Sequence, residues 1–374
     1  MPRVLPPARR VAALVLALVP AGVLAAPAPR DLVIGYGVPN ALPYGVAAPD
    51  GKTGYFLTAG GGVEAVDLAN GRALWKVESA FPLAVWDGKA VVLRRVKDKP
   101  DRVQVAVLDK DGGVSLTSQE ITVPGHRDGA QGWWTGRAYL DGDELMLDGS
   151  ACWPSPDKDS KSLLPQLTRV NLKTSRAVPL GEEQKAALRP PLRLPEKLEE
   201  ALKGLPQDVH YAWGNAWYNE PHRLIDGDRL GVVWRTPVDK DEVLTLRTWD
   251  VGTGQGARTK ELLRRPFGNH LHTSDDGRYL FFQHEERMTP DHPNRYRWRA
   301  YRVATGEHVG TFLFDGYALC AGVASERLLV VDSGRTPDGR GLIPELHAME
   351  LKTGKSLWRR PAPAVSYGLQ LGSQ

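Results

Sequence analysis

Cysteine is scarce in this sequence, which contains only Cys152 and Cys320 among its 374 residues. Two cysteines cannot hold together a disulfide-rich domain, and there is no Cys-x-x-Cys-His run to attach a haem. Each cysteine lies among apolar neighbours, a setting typical of buried free thiols. Whether the two residues pair stays open, because their spacing in the sequence does not fix the distance between them.

Long hydrophobic runs are also missing, apart from Val11–Val19 near the N-terminus. A helix needs about 20 apolar residues to span a bilayer, so this run is too short. Arginines precede it and the small residues Val23 and Ala25 follow it, a pattern typical of a secretory signal peptide. We expect residues 1–25 to be that signal and residues 26–374 to form a single periplasmic or secreted domain. No integral membrane segment is expected after signal removal, and no cysteine follows the cleavage point to carry a lipid.

A strong excess of one charge is lacking as well. The formal net charge of +4 falls to about +1 when the three arginines of the signal are removed. Acidic and basic residues are interspersed along the rest of the chain. Binding to nucleic acid phosphates needs a concentrated basic face. We therefore expect no nucleic-acid partner.

What the sequence does contain is a repeated strand–turn–strand phrase. It occurs as Val63–Trp75 and again as Leu346–Trp358, each with alternating apolar residues, a glycine turn and a final Leu-Trp pair. Glycine supplies the positive φ of a tight hairpin turn, and β-branched and aromatic residues suit a half-buried strand. A phrase that recurs so far apart in one chain indicates a repeat architecture.

A four-strand unit built on this phrase can be followed six times along the chain. Such units cannot bury both faces alone, so the sequence predicts an all-β fold, a β-propeller of four-stranded antiparallel blades. A β-sandwich is the rival fold, but it would not repeat one unit. Strand-like runs at the ends, Leu32–Val38 and Val365–Leu371, leave a seventh blade open. An insertion, residues 181–207, carries a predicted short helix at Pro195–Gly204.

Two of the repeats resemble those of the PQQ-like β-propellers, whose phrase is Ala-Leu-Asp-x-x-Thr-Gly-x-x-Leu-Trp. The matching stretches are Ala65–Trp75 and Ala348–Trp358, while Thr273–Phe282 is similar to the repeat of TolB-like and WD-type propellers. The resemblance implies a propeller over most of the mature chain. Its members include quinoprotein dehydrogenases, which hold PQQ, and BamB-like assembly factors, which bind a partner protein through loops. The adjacent cysteine pair of the former and the anchor cysteine of the latter are absent, so we expect no bound cofactor.

His270 and His272 are the candidate metal ligands. Residues two apart on a strand point to the same face, and this strand is predicted to be the innermost of its blade. Both imidazoles would then face the central channel, and imidazoles suit zinc or iron. The spacing fixes no third ligand, which favours the alternative of two histidines in a wet polar channel.

Four tryptophans, Trp133, Trp134, Trp213 and Trp217, are the candidate binding surface. Aromatic rings stack on sugars and peptides and are enriched at binding interfaces. The alternative is that these rings pack between blades, as tryptophans in propellers commonly do. The sequence alone does not separate the two interpretations.

The sequence as a whole predicts a monomeric scaffold that binds or assembles a protein partner through its blade loops. A rigid frame with variable insertions favours recognition on those insertions, here Pro154–Ser162, Gly181–Gln207 and Glu285–Arg297. Two alternatives stay open. One is an enzyme that depends on PQQ or on a metal ion at His270 and His272, and the other is a sensor with a small ligand in the central channel.

Overall fold

A computed structural model of the chain describes the part of the sequence that builds the blades. The described residues are 41–42, 45–58, 62–122, 134–151, 166–181, 196–207, 209–213, 216–218, 224–238, 241–256, 258–264, 271–274, 277–286, 296–314, 318–335 and 342–362. The expected signal peptide, the end runs Leu32–Val38 and Val365–Leu371, and the loop Pro154–Ser162 lie outside them.

The described residues form six antiparallel sheets and one helix, which confirms the predicted all-β propeller. Blade 1 contains β1 (Ala41–Leu42), β2 (Gly45–Ala47), β3 (Thr53–Leu57), β4 (Val63–Asp67) and β5 (Ala73–Val77). Blade 2 contains β6 (Ala80–Trp86), β7 (Lys89–Val96), β8 (Lys99–Leu108), β9 (Val114–Thr117) and β10 (Ile121–Thr122). Blade 3 contains β11 (Trp134–Asp141), β12 (Glu144–Ala151), β13 (Gln166–Asn171) and β14 (Ala177–Pro179).

The second half of the chain supplies the other three blades. Blade 4 contains β15 (His210–Trp213), β16 (Ala216–Tyr218), β17 (Leu224–Asp226), β18 (Arg229–Val238), β19 (Asp241–Asp250) and β20 (Arg258–Arg264). Blade 5 contains β21 (Leu271–Thr273), β22 (Tyr279–Glu286), β23 (Tyr296–Arg302) and β24 (His308–Phe314). Blade 6 contains β25 (Ala318–Ala324), β26 (Arg327–Arg335), β27 (Leu342–Glu350) and β28 (Ser356–Pro361). Each sheet is built from one continuous stretch of chain.

One turn recurs after the next-to-last strand in five of the six blades and explains the repeated phrase. In five blades, the carbonyl of the last residue of this strand accepts a hydrogen bond from the amide of the residue four positions later, over 2.7 to 2.9 Å. We call it the turn hydrogen bond. The donors, all with positive φ, are Gly71, Ser175, Gly254, Gly306 and Gly354. Glycine adopts positive φ without steric cost, which is why it fills four of these five positions. Blade 3 is the exception, with Ser175 at a φ of 63°.

The hydrophobic core is divided among the junctions between neighbouring blades. Clusters of buried apolar side chains join blade 1 to 2, 2 to 3, 4 to 5, 5 to 6 and 6 to 1. The last of these junctions closes the ring between the two ends of the described chain. There the Nε1 of Trp358 donates to the carbonyl of Leu68 over 3.0 Å, and Arg360 forms an ion pair with Glu64. Apolar burial across the junctions is the main force that holds the ring.

The junction between blades 3 and 4 is built differently. The insertion between these blades contains α1 (Glu196–Lys203), which lies within the predicted helix Pro195–Gly204. The buried Leu198 of α1 belongs to a cluster with blade 4, whereas Leu167 of blade 3 belongs to a separate small cluster. Among the described residues, no apolar cluster joins blade 3 to blade 4. No helix in the same ranges is long and apolar enough to cross a membrane.

Candidate functional site

The predicted histidine pair is only partly described. His270 lies outside the described residues, and His272 is placed in β21 opposite Phe281 of β22. In the part of the chain that the structure describes, no group of three or more His, Cys, Asp or Glu side chains is close enough to hold a metal ion. The metal site at His270 and His272 therefore stays a prediction.

The four predicted tryptophans fall on two different blades. Trp133 lies outside the described residues, and Trp134 is placed in β11 of blade 3 opposite Ala151. Trp213 and Trp217 are placed on the paired strands β15 and β16 at one edge of blade 4. The backbone thus brings Trp213 and Trp217 to one hairpin and places Trp134 on a different blade. Their role as a binding surface stays a prediction.

A polar cavity of about 270 Å³ lies on blade 3. Its lining comes from β12, β13, β14 and the turn between the last two, and consists of Glu144, Arg169, Asn171, Thr174, Arg176 and Val178. We call it the blade 3 cavity. Val170 belongs to the cluster shared with blade 2, and side chains alternate along a strand. Arg169 and Asn171, on either side of Val170, therefore lie on the opposite face of blade 3, directed at blade 4.

Glu144 and Asn171 form a fixed pair in this cavity. They are cross-strand neighbours, and the Nδ2 of Asn171 donates to Glu144 Oε1 over 2.8 Å. The Oδ1 of Asn171 accepts from the amides of Lys173 and Thr174, over 3.0 and 2.8 Å, so the amide is held at both ends. Glu144 Oε2 is buried, and no described residue donates a hydrogen bond to it. Because an unpaired buried carboxylate oxygen is costly, this atom calls for a donor beyond the described residues.

Arg169 and Arg176 give the cavity its positive charge. Both side chains are exposed and line the cavity, and neither forms a hydrogen bond or ion pair with another described residue. With Glu144, the described residues of the lining carry two positive charges and one negative charge, a net charge of +1. A guanidinium presents its N–H donors in a planar fork that matches a carboxylate or a phosphate. The cavity can therefore bind an anionic group that also brings a hydrogen-bond donor.

Arg169 occupies a position that is small or apolar in every other blade. The position lies two residues before the acceptor of the turn hydrogen bond. In the other blades it is held by buried residues, namely Ala65, Val107, Thr248, Ala300 and Ala348. Four of them belong to the cluster shared with the following blade. The candidate residues chosen from the sequence do not include the cavity lining. The signal that identifies it is this departure of Arg169 from the repeat.

The position of α1 explains why, in the described part of the chain, blade 4 does not cover this face. At the recurring turn the glycine lies against the outer strand of the preceding blade: a Cβ added to Gly71 would lie 2.7 Å from Cγ of Trp358. In blade 4 the equivalent glycine lies against α1, since a Cβ on Gly254 would lie 2.9 Å from the nitrogen of Leu198. The helix thus takes the place of the outer strand of blade 3 against blade 4.

An ion pair beside the cavity fixes the turn of blade 3. Lys173 Nζ lies 2.6 Å from Asp143 Oδ2, and the indole Nε1 of Trp86 in blade 2 donates to Asp143 Oδ1 over 3.2 Å. The hydrogen bond from Lys173, and to a smaller degree that from Trp86, lowers the pKa of Asp143 below its usual value. The pair is exposed and adds little stability. It does orient the turn that carries Thr174.

No protein-family model matches this chain, and no curated protein matches it. Among solved structures, it is similar to the AtxE2 isopeptidase in its apo form, with 13% identity over 90% of this chain and 53% of that chain and a TM-score of 0.41. The chain thus spans about half the length of the isopeptidase. It is also similar to the Myceliophteria thermophila Cps50 (Swd1) β-propeller domain, with 12% identity over 88% of each chain and a TM-score of 0.30. It is similar as well to the Neurospora crassa Pan2 WD40 domain, with 10% identity over 90% of this chain and 83% of that chain and a TM-score of 0.30. At these identities and TM-scores the similarities carry no argument about function, and the β-propeller fold is shown by the six sheets themselves.

Proposed function

We propose that this chain is an extracytoplasmic scaffold that binds a protein partner at the face of blade 3 directed at blade 4. The observation that carries the proposal is a contrast between junctions. Five junctions are closed by apolar clusters, whereas blade 3 presents a polar cavity with two arginines that have no hydrogen bond or ion pair among the described residues. A rigid frame with one such polar surface is suited to holding a ligand in a fixed orientation. The signal pattern in residues 1–25 supports a location outside the cytoplasm.

The chemistry of the cavity favours a binding role over a purely structural one. Two arginines with no partner among the described residues, beside a carboxylate oxygen that no described residue donates to, do not help the propeller fold. Places where a chain departs from its own packing rules are expected at functional sites. A propeller that only needed to close its ring would gain more from an alanine at Arg169, as in blades 1, 5 and 6.

The test is affinity purification of the tagged mature chain from its native compartment, followed by quantitative mass spectrometry. We expect one partner protein near one copy per chain with the wild-type protein. With Arg169→Ala/Arg176→Ala we expect at least about tenfold less of it. Arg72→Ala is the matched control, because the carbonyl of Arg72 accepts from the amide of Asp67 in blade 1 as the carbonyl of Arg176 accepts from the amide of Asn171 in blade 3.

Two results would count against the scaffold. One is equal recovery of the partner with the double variant and the control, and the other is recovery of no protein above the background of an untagged strain. Elemental and absorbance analysis of the same preparations tests the enzyme alternative. A metal ion or a quinone chromophore near one per chain, lost in His270→Ala/His272→Ala, would put that alternative first.

A further inference from the structure

The blade 3 cavity carries an inference about the chemistry of its ligand, which rests on the proposed function and deepens it. We infer that the cavity recognises the C-terminus of a polypeptide. The recognised groups are the free α-carboxylate of the last residue and the main-chain N–H of that residue. The partner would then be a protein whose C-terminal end is accessible.

The two arginines are the reason to infer a carboxylate in the ligand. Arg169 and Arg176 line the same cavity, and neither has a hydrogen bond or ion pair within the described part of the chain. Arginine forms paired, charge-assisted hydrogen bonds with carboxylates, which fix the orientation of the ligand as well as its affinity. The net charge of +1 in the lining matches the single negative charge of a peptide C-terminus.

Glu144 is the reason to infer a hydrogen-bond donor in the ligand. Its Oε1 accepts from Asn171, but its buried Oε2 has no donor among the described residues. A ligand that meets both groups must accept from the arginines and donate to Oε2. The last residue of a peptide does both, because its amide N–H lies next to its carboxylate.

Other anions and sugars fit the cavity less well. An inorganic phosphate would satisfy the arginines, and its P–OH group can donate to Oε2, but as a dianion it would place two negative charges beside Glu144, more than the net charge of +1 of the described lining. A sugar is commonly held by stacking on an aromatic ring, and the described residues that line the cavity include none. The volume of about 270 Å³ lies just below the range of roughly 300 to 1,000 Å³ for small-molecule pockets, so it suits the end of a chain.

The experiment measures binding of acetyl-Gly-Gly-X peptides to the purified mature chain by calorimetry, with each proteinogenic residue in turn as X. Every peptide is tested as the free acid and as the C-terminal amide. We expect the best free acid to bind at least about tenfold more tightly than its amide, because the amide lacks the charge that the arginines recognise. The same peptide with an N-methylated last amide should also bind at least about tenfold more weakly, because it cannot donate to Glu144.

Variants of the chain separate recognition from folding. Arg169→Ala should weaken binding of the free acid by at least about tenfold and leave the binding of the amide unchanged. This variant is expected to fold, because alanine fills the equivalent position in blades 1, 5 and 6. Glu144→Gln should remove the discrimination against the N-methylated peptide. Arg72→Ala, the control in blade 1, should change none of these values.

Three results would overturn the inference. They are equal binding of acid and amide, failure of every peptide to bind, and displacement of the peptide by inorganic phosphate at a similar concentration. The proposed function fails separately. If a partner is lost with the double arginine variant but acids bind no better than amides, the scaffold stands and the C-terminus inference falls. If acids bind as expected but no partner protein is recovered, the scaffold falls, and the cavity is a site for peptides.

Discussion

A contact of Trp358 closes the ring of blades, and the substitution Trp358→Ala removes it. Trp358 of blade 6 is 8% exposed and packs with the buried apolar residues of blade 1. Its indole lies against Gly71, and its Nε1 donates to the carbonyl of Leu68 over 3.0 Å. These blades are the two ends of the described chain, so side-chain contacts such as this one hold the last junction together.

The expected loss of stability follows from this burial. A buried aromatic side chain removes roughly 150 to 250 Å² from water. At roughly 25 cal/mol per Å², that area corresponds to about 4 to 6 kcal/mol, close to the range of about 3 to 5 kcal/mol for removing a core tryptophan. The carbonyl of Leu68 also loses its donor, which costs about 1 kcal/mol more. We expect the free energy of unfolding to fall by about 5 kcal/mol, a large share of the roughly 5 to 15 kcal/mol of a typical domain.

Trp75→Ala is the matched control for this prediction. Trp75 is the equivalent tryptophan of blade 1 and lies against Gly112 of blade 2, where an added Cβ would come within 3.0 Å of its Cδ2. It is only half-buried, and it joins two blades that follow one another in the chain. We expect its removal to cost about 2 kcal/mol, less than half the effect of Trp358→Ala. Trp358→Phe, which keeps a ring but loses the indole N–H, should lie between the two.

The assay is equilibrium unfolding in urea, followed by circular dichroism because the substitutions remove fluorescent side chains. The order of the three variants is the quantity to compare, since the contribution of the unfolded chain largely cancels in differences between variants. A loss for Trp358→Ala no larger than that for Trp75→Ala would refute the reasoning. It would mean that the closing junction does not depend on its tryptophan.

Three further predictions concern stability. Ser175 holds a φ of 63° where four other blades have glycine, so Ser175→Gly should raise the free energy of unfolding by about 0.5 to 1 kcal/mol, measured by urea unfolding. Gln283 is fully buried and has no side-chain hydrogen-bond partner among the described residues, so Gln283→Leu should raise the free energy of unfolding by about 1 to 3 kcal/mol. The exposed control Gln255→Leu should change it by no more than about 0.5 kcal/mol. The pKa of Asp143 is lowered, chiefly by Lys173. The contribution of the Asp143 carboxylate to the free energy of unfolding is therefore present above the usual aspartate pKa and is lost as the pH falls through the lowered pKa of Asp143. The stability difference between wild type and Asp143→Asn should therefore shrink in acid, and a pH-independent difference would contradict this.

The fold could be predicted from the sequence because its signal is local. The turn that follows the next-to-last strand in five blades depends on the carbonyl and amide of residues four apart and on a left-handed residue at the second of them. Both features can be read over a few positions, as at Glu350 and Gly354 of the last blade. The same holds for α1, whose acidic first turn and final Lys203 and Gly204 are local end signals.

The candidate site could not be predicted in the same way, because it depends on contacts that the sequence does not show. An arginine on a strand normally indicates an exposed edge, and nothing near Arg169 shows that its side of blade 3 is directed at another blade. The packing of Leu198 against Gly254 joins residues far apart in the chain. Comparing the six units position by position would have singled out Arg169. It would not have shown that Glu144 Oε2 is buried without a donor among the described residues, which is visible only in three dimensions.

Blade 3 departs from the repeat at two places, and they differ in what they imply. Ser175 replaces a glycine in a turn that keeps its hydrogen bond, so this departure costs a little strain and changes no surface. Arg169 replaces a small buried residue, and it comes with the second unpaired arginine, Arg176, and with a helix in place of the neighbouring outer strand. A substitution without a role would most simply lose apolar contact. Here the lost contact coincides with a cavity whose charges and unpaired oxygen call for a ligand, and that coincidence is why we place recognition at blade 3.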